Sequence, residues 1–582
     1  MVKKLFKQML LAQVVSAMAV MLTMLVDSIM IGQFLGARAI AAYGFANPLI
    51  LLVSAVANTL SNGTQVVCSN ALGSGKNKVA NAYFSVATVL SVTAGFFFVL
   101  LVVFFRGPLA SFLGAAGDDT VFQGTKDYLL GFIIGAPGVM FAMVMIPFMQ
   151  FTGERIRLVA AVLTMTVTDI VLDFLNVKIF HLGMFGMGLA SSLSYYLAIL
   201  IGLAYFLSKR SVFKFRWRAV KKIYIIHVLV NGTTTIINLT GSVLLTFLLN
   251  NLLAKTGAND AVAAYSILNN IINLSYSILF GITSVTLMLA GIFYGEDDRK
   301  ELQDLVSVSS RFSVFSHLIM MVVVIALAPI LVGFFISGDQ PPIISQMAIT
   351  GTRIFAFSLV PCVLNASLKN YYQGIEKMRL AQVIAFMQNF GGLAIFALLL
   401  SPFLGTNGVW LCYPLGELGV LLMIAIIVWK KNKAVNLKPS TFAMLDEDFG
   451  VSEEDTWEME VRSYQESADA SRSASEFCNR KSGDSKTSMY ISVCIEEMAN
   501  NTLKFGFKEG KDNYISLKLT HKDGNWLLRI RDNCHEFNPV KYHDQDTDPD
   551  LSSGFGIRMV FKIAKKIKYT YNLSMNNLMI RL

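Results

Sequence analysis

Cysteine is scarce and scattered, six residues in 582 at positions 68, 362, 412, 478, 494 and 534, with no CxxC pair. That argues against a disulfide framework. The six histidines form no ligand-spaced cluster, so a structural zinc is not indicated. Charged residues are only 15% of the chain and crowd into its last quarter. A phosphate-binding Walker A loop is missing as well. GSGK at Gly73–Lys76 imitates the end of one, but Asn70 stands where its first glycine is required and Asn77 where serine or threonine should follow. An ABC-type engine is therefore disfavoured.

What the chain has in excess is apolar sequence, 54% of its residues. Apolar runs of about 20 residues or more can cross a bilayer, and they lie near 8–34, 40–68, 79–105, 127–151, 157–180, 186–208, 224–253, 261–293, 307–335, 344–372, 379–403 and 408–429. The first run continues without a small-residue cleavage site, so it reads as a span and not as a signal peptide.

These twelve spans fall into two copies of one unit. Aligning AIAAY (Ala39–Tyr43) on AVAAY (Ala261–Tyr265) sets an offset of 222 residues. The same offset carries Gly73 onto Gly295, Lys78 onto Lys300, Arg157-Leu158 onto Arg379-Leu380 and Leu182-Gly183 onto Leu404-Gly405. An ungapped repeat in a hydrophobic chain points to a transporter whose substrate path lies between repeats. The reading is a polytopic all-α membrane domain over 1–432, with repeats at about 1–210 and 222–432, an acidic linker over 433–455 and a further domain over 456–582.

Lysine and arginine cluster at the N-terminus (Lys3, Lys4, Lys7), in alternate loops (Lys76, Lys78; Arg155, Arg157), in the central loop (Lys209–Lys222) and after the last span (Lys430, Lys431, Lys433). The positive-inside rule makes both termini cytoplasmic in a multi-pass protein of the cell membrane. The net charge of +10 is then a topology signal with attraction to anionic lipid, and no nucleic-acid partner is expected.

In the first repeat three carboxylates lie deep inside apolar spans. Asp27 interrupts the first, and Asp169 and Asp173 in TVTDIVLDFLNV are four apart, on one face of a helix. An ionised carboxylate at mid-membrane depth costs about 2.5–3.5 kcal/mol on insertion scales. If the three converge they cannot all stay bare and ionised, so a proton or a cation such as Na+ would be held among them. The plainer alternative is that Asp173 is a solvated residue near the membrane surface. The second repeat offers Asn231, Asn238, Arg353, Lys369 and Glu417 but no matching carboxylates. Gly135–Gly138 and Pro147 should bend the fourth span, as a gate or as a fixed packing kink.

Composition changes after Lys433. LDEDFGVSEED (Leu445–Asp455) reads as a solvated linker or one that packs on basic loops. The remainder reads as strand, helix, a second helix over Thr487–Leu503, strands at Tyr514–Thr520 and Trp526–Asp532, a polar loop, a helix over Gly556–Lys566 and two closing strands: an α/β sandwich. Glu497 and Asn501 share a helix face, Asp532 ends a strand, and SSGFGIRMV (Ser552–Val560) offers glycines and free amides at a helix N-terminus, suited to phosphate.

VDSIMIGQFLGARAIAAYGFANP (Val26–Pro48) and SNGTQVVCSNALGSGKNKVANA (Ser61–Ala82) resemble the multidrug and toxic compound extrusion (MATE) family, over about residues 1–432. That resemblance implies twelve helices in two lobes that open alternately, and cation-coupled export of small organic compounds with H+ or Na+ as coupling ion. Asp27 matches the first-span aspartate of members with an N-lobe cation site, and Asp169 and Asp173 match a fifth-span N-x-x-x-D pair; here Asp169 departs from the asparagine. Residues 456–582 resemble the GHKL ATP-binding fold, nearest the anti-sigma-factor serine kinases. Carried over, Asn501 would hold Mg2+ on the phosphates of ATP, Glu497 would be a general base, Asp532 would receive the adenine amino group, and Gly554 and Gly556 would shape the phosphate turn. Cys534 departs from the family's D-x-G. An anti-anti-sigma-like protein would be the partner of a kinase activity.

The leading expectation is an antiporter with an ATP-binding regulatory or serine-kinase-like domain. A membrane-tethered signalling protein with a transporter-like sensor, and a lipid or oligosaccharide flippase, are the alternatives. A substitution at Asp27 and one at Asn501, each assayed for efflux and for partner phosphorylation, would separate them.

Overall fold

In a bilayer every backbone N–H and C=O must be bonded within the protein, which leaves long apolar runs the helix as their simplest solution. A computed structural model describes residues 1–208, 211–335, 341–432, 438–510, 512–545 and 555–582. Its membrane part consists of α1 (Val2–Met30), α2 (Ala37–Gly73), α3 (Asn77–Phe112), α4 (Asp119–Ile133), α5 (Ala136–Phe151), α6 (Arg155–Leu175), α7 (Gly183–Phe206), α8 (Lys222–Ser275), α9 (Ser277–Gly295), α10 (Arg299–Gly333), α11 (Pro342–Ala356), α12 (Leu359–Gly374), α13 (Met378–Phe386), α14 (Gly392–Trp410) and α15 (Cys412–Asn432). Among the described residues ten helical stretches are long and apolar enough to cross a membrane. Two bent pairs, α4–α5 at 47° and α11–α12 at 51°, bring the total to as many as twelve.

The bend between α4 and α5 falls just before Pro137. Gly95 of α3 lies so close to it that a Cβ would stand 2.3 Å from the proline Cα, so this kink is packed in place. One boundary differs from expectation. Helical bonding runs on past Leu253 through the expected turn before Ala261, so α8 holds span seven and the start of span eight, and the break comes at Tyr276. No proline lies in that stretch to remove a backbone donor.

Apolar packing shows how the repeats meet. One cluster belongs to the first repeat (Ile31, Ala46, Val53, Leu129, Met140), another to the second (Leu249, Leu268, Phe355, Trp410). A third combines both, with Phe6, Leu72, Phe148, Leu289, Phe293 and Tyr372, and reaches the C-terminal domain through Tyr514, Leu573 and Met575. The shared cluster lies at the end bearing the basic loops, called here the basic end. There α2 and α9 cross at two glycines that the repeat makes equivalent. A Cβ on Gly73 would lie 2.0 Å from Ile292 O, and one on Gly295 2.4 Å from Asn70 O.

The C-terminal domain comprises β1 (Thr456–Val461), α16 (Tyr464–Ser482), α17 (Ser485–Phe505), β2 (Ile515–Lys522), β3 (Asn525–Asp532), α18 (Pro539–Gln545), α19 (Phe555–Ile563), β4 (Lys566–Asn572) and β5 (Met575–Arg581). The strands form one antiparallel sheet in the order β1-β2-β3-β5-β4. Alternation sends Ile515, Leu517, Leu519, Leu528, Ile530, Leu578 and Ile580 into a core shared with α16, α17 and α19. The segment read as a polar loop contains α18. Asn538 caps it, accepting from the N–H groups of Val540 (3.0 Å) and Lys541 (3.1 Å), and Pro539 occupies the first turn. The described part of the linker packs instead of lying free in solvent. Asp446 pairs with Lys431 (2.5 Å) and Lys377 (3.5 Å), and Phe449 stacks on Tyr294 at 5.1 Å.

Candidate functional site

On α6 the lipid-facing positions Leu163, Val167, Val171 and Phe174 are apolar and exposed, while Val162, Met165, Thr166, Asp169 and Asp173 form the buried face at helical spacing. Both carboxylates therefore turn inward. α1 presents Ala12, Ser16, Ala19 and Asp27 toward the interior, and Thr23 Oγ1 donates to Thr166 Oγ1 at 3.1 Å, fastening α1 to α6. Ligand oxygens of Asp27, Asp169 and Asp173 thereby lie within 4.8 Å of one another, all three residues buried. The bland reading of Asp173 as a surface residue does not hold, for its exposure is 0%. Both oxygens of Asp169 and of Asp173, and Oδ1 of Asp27, are buried without a hydrogen-bond partner among the described residues. Partnerless oxygens of this kind suit a proton or a small hard cation, which would neutralise their charge.

The far ends of both helices are irregular. A π-helical turn, Ile31–Leu35, follows α1, and another, Asn176–Phe180, follows α6. Asn176 anchors the second: its Oδ1 accepts from Leu182 N and its Nδ2 donates to Gly183 O, each at 3.0 Å.

In the second repeat Glu417 is buried and accepts from Asn365 Nδ2 (2.8 Å) and Gln388 Nε2 (3.3 Å). Asn365 and Gln388 escaped the sequence reading. Gln388 lies on a third π-helical turn, Met387–Gly391, a local defect without a sequence signature. Lys369 donates to Asn238 Oδ1 (3.3 Å), whereas Arg353 is exposed.

In the C-terminal domain Glu497 and Asn501 share a face of α17, which packs on α19. Gly556 of α19 abuts Glu497, where a Cβ would stand 1.9 Å from Oε2, so any larger residue would displace that carboxylate. Gly554 lies outside the described residues. Asp532, at the end of β3, is buried, which pushes its carboxyl above the usual range against the opposing hydrogen bonds of Asn576 and Cys534. Asp532 Oδ1 accepts from Asn576 Nδ2 (2.7 Å) and Cys534 N (3.0 Å). Asn576 also donates to His535 O and accepts from Tyr569 Oη, a hub that the sequence did not single out. The Cys534 side chain lies against Gly506 at the end of α17, and burial pushes its thiol up to about 12. Gly556, Asn501 and Asp532 are of the residue types that a nucleotide's phosphate, metal and base would need.

Two helical repeats, the first holding a buried carboxylate cluster, joined to a sheet-and-helix domain with these features, define a membrane transporter carrying an ATPase-like module. Residues 13–175 and 235–398 match the MatE family model, together more than half the chain, and the chain belongs to that family. The two matched segments begin 222 residues apart, the offset read from the sequence. Residues 463–582 match the histidine kinase-like ATPase domain. The multidrug export protein MepA of Staphylococcus haemolyticus is 24% identical over 392 residues, 65% of this chain and 83% of that protein. A MATE structure in complex with MaL6 superposes with a TM-score of 0.68 at 19% identity, covering 72% of this chain and 94% of the other. The MATE transporter VcmN from Vibrio cholerae, in its bent form, gives 0.67 at 21% identity, over 72% and 95%. At such identities these structures speak for the fold alone.

Proposed function

We propose that this protein exports small organic compounds across the cell membrane in exchange for H+ or Na+, and that its C-terminal domain binds Mg-ATP in a regulatory role. The convergence of Asp27, Asp169 and Asp173 from two helices, with oxygens lacking partners, is the observation that carries the reading. In this arrangement the basic end, with both termini, faces the cytoplasm. Coupling follows from electrostatics: three close carboxylates in a low-dielectric interior repel one another, and binding a cation relieves that repulsion and draws α1 toward α6. Release lets the helices relax, so ion occupancy and helix position are linked.

The apolar surroundings and the family relationship to a multidrug export protein support an amphipathic substrate. For the C-terminal domain, Asn501 would hold the metal, Asp532 the base and Gly556 the phosphate turn; bound Mg-ATP would supply binding energy and a transferable phosphoryl group. Regulation is favoured over kinase output by the docking of the sheet on the transporter (Lys518 and Arg529 on Asp298), described below.

The test is gradient-driven uptake of a fluorescent organic cation into inverted vesicles. Asp27→Asn should abolish it while the protein remains folded and membrane-inserted; uptake at the wild-type rate would overturn the assignment.

A further inference from the structure

The sheet face turned away from α16 and α17 carries Lys518, Lys522, Arg529, Arg531 and Asn577; Lys522 at its edge is exposed, but Arg529, Arg531 and Asn577 are buried against the membrane part. Arg531 reaches Glu301 of α10 (2.7 and 3.0 Å) and also bonds Glu296. Arg529 pairs with Asp298 (2.8 Å) and donates to Glu296 O (2.9 Å). Lys518 completes the cluster on Asp298 at 2.8 Å, and Asn577 Nδ2 donates to Glu296 Oε1 at 3.0 Å. Arg529, Arg531, Glu296 and Asp298 are all buried, so these pairs are buried contacts between domains, unlike ordinary surface ion pairs.

All of those partners belong to the second repeat. The same domain also holds the first repeat, at three places on the basic end. Leu573 N donates to Phe151 O (2.7 Å) and Ser574 Oγ to Gly153 O (3.2 Å), at the turn between α5 and α6. Lys568 Nζ donates to Ser74 O (3.2 Å) at the turn between α2 and α3. Lys4, ahead of the first span, pairs with Asp512 (2.5 Å) and lies over the Tyr514 ring. Gly153 is in the left-handed region (φ +77°), and a Cβ on it would collide with Ser574, so this junction is closely fitted.

One small domain is thus fixed to both repeats at the end where they pack together through Gly73, Gly295 and Asn70. Asn70 itself crosses the gap, donating to Glu376 Oε1 at 2.7 Å. To open toward that side the repeats must part there, and a body attached to both opposes the movement.

The nucleotide face and the docking face meet on the same two strands. Arg531 and Asp532 are consecutive on β3, and Asn577 and Asn576 are their paired partners on β5. Asp532 and Asn576 bond each other at one face while Arg531 and Asn577 both hold Glu296 at the other. We propose that the C-terminal domain is a clamp that holds the cytoplasmic ends of the two repeats together through Arg529 and Arg531, and that nucleotide at Asp532 loosens it. This rests on the regulatory reading above. Asp532, on turning to a nucleotide's amino group, gives up Asn576; β5 then shifts against β3 and draws Asn577 from Glu296.

The experiment uses the full chain in nanodiscs with nitroxides at Arg157→Cys and Arg379→Cys, repeat-equivalent exposed positions at the starts of α6 and α13; all six native cysteines are buried. The distance distribution by double electron–electron resonance should show one short population. Arg529→Glu with Arg531→Glu should add a longer population, and Arg531→Glu combined with Glu301→Arg should reduce it compared with Arg531→Glu alone. Mg-ATP should add the longer population in the otherwise unaltered chain but not with Asp532→Asn. Unchanged distances in the folded charge-reversal variant, or no difference between the single and swapped variants, would overturn the clamp; a distribution unmoved by Mg-ATP would overturn the link between the faces. No substrate is needed for this readout, so its failure and that of the transport reading, tested by Asp27→Asn, are told apart.

Discussion

Alanine at Gly73 should prevent the repeats from closing at the basic end. The added Cβ would stand 2.0 Å from Ile292 O and 3.1 Å from the Gly295 Cα, both backbone atoms that cannot swing aside. Ordinary van der Waals contact then requires α2 and α9 to separate by roughly 1.4 Å, because repulsion rises steeply inside the contact distance. Overpacking of this kind costs about 1–3 kcal/mol. Set against a two-state equilibrium, that is a shift of about 5–150-fold toward the state with the basic end open. The Arg157/Arg379 nitroxide pair reads it directly as growth of the longer population, and turnover should fall because the closed state becomes scarce. Gly295→Ala should act alike, its Cβ meeting Asn70 O at 2.4 Å. A Gly73→Ala protein with the wild-type distance distribution would refute the idea that this crossing is the closed gate.

Other outcomes follow from the C-terminal domain. By titration calorimetry on the full chain, Asn501→Ala should lose magnesium-dependent ATP affinity, whereas Glu497→Gln should keep it. Cys534→Gly should bind ATP more tightly if the buried thiol crowds the base beside Asp532, and equal affinity would clear the cysteine of any role. Docking should also depend on pH. Burial opposes ionisation of Asp298, but Lys518 and Arg529 prevail and hold its carboxyl down to about 2. A depressed carboxylate contributes fully above its ordinary value near 3.8 and loses that contribution as the pH falls through about 2, a change on the order of 2 kcal/mol. Glu458, held below its ordinary range against burial by Lys518 and Lys300, acts in the same direction. Pepsin cleavage within residues 438–455 should therefore accelerate between pH 4 and pH 2, and Asp298→Asn should already be cleaved fast at pH 4.

The membrane plan was legible because its signals are strong ones. Apolar runs long enough to span are rare by chance, and a carboxylate inside one is rarer, so Asp27, Asp169 and Asp173 stood out before any fold was known. The burial of Asp169 and Asp173 on one face of α6 follows from their spacing of four. The strand alternation of ISLKLT and WLLRIRD was equally clear, but alternation separates an apolar face from a polar one without saying whether water or protein covers the polar side. Lys518, Arg529 and Arg531 look like solvated residues in the sequence, and their partners Glu296, Asp298 and Glu301 lie more than 200 positions away. The same limit hid Asn365 and Gln388 around Glu417. α18 could have been read from Asn538-Pro539, a capping residue followed by a first-turn proline, had its short length not argued for a loop.

Cation counterflow tests ion-coupled export most directly. Purified protein in liposomes is loaded with a reporter of internal pH or Na+, and an organic cation such as ethidium is presented on the side opposite the ion gradient. Coupling through the three aspartates predicts that wild-type uptake of the organic cation and release of H+ or Na+ rise and stop together, and that Asp27→Asn, monodisperse and correctly inserted, moves neither. Ethidium uptake that persists after the ion gradients are discharged, or uptake by Asp27→Asn at the wild-type rate, would contradict it.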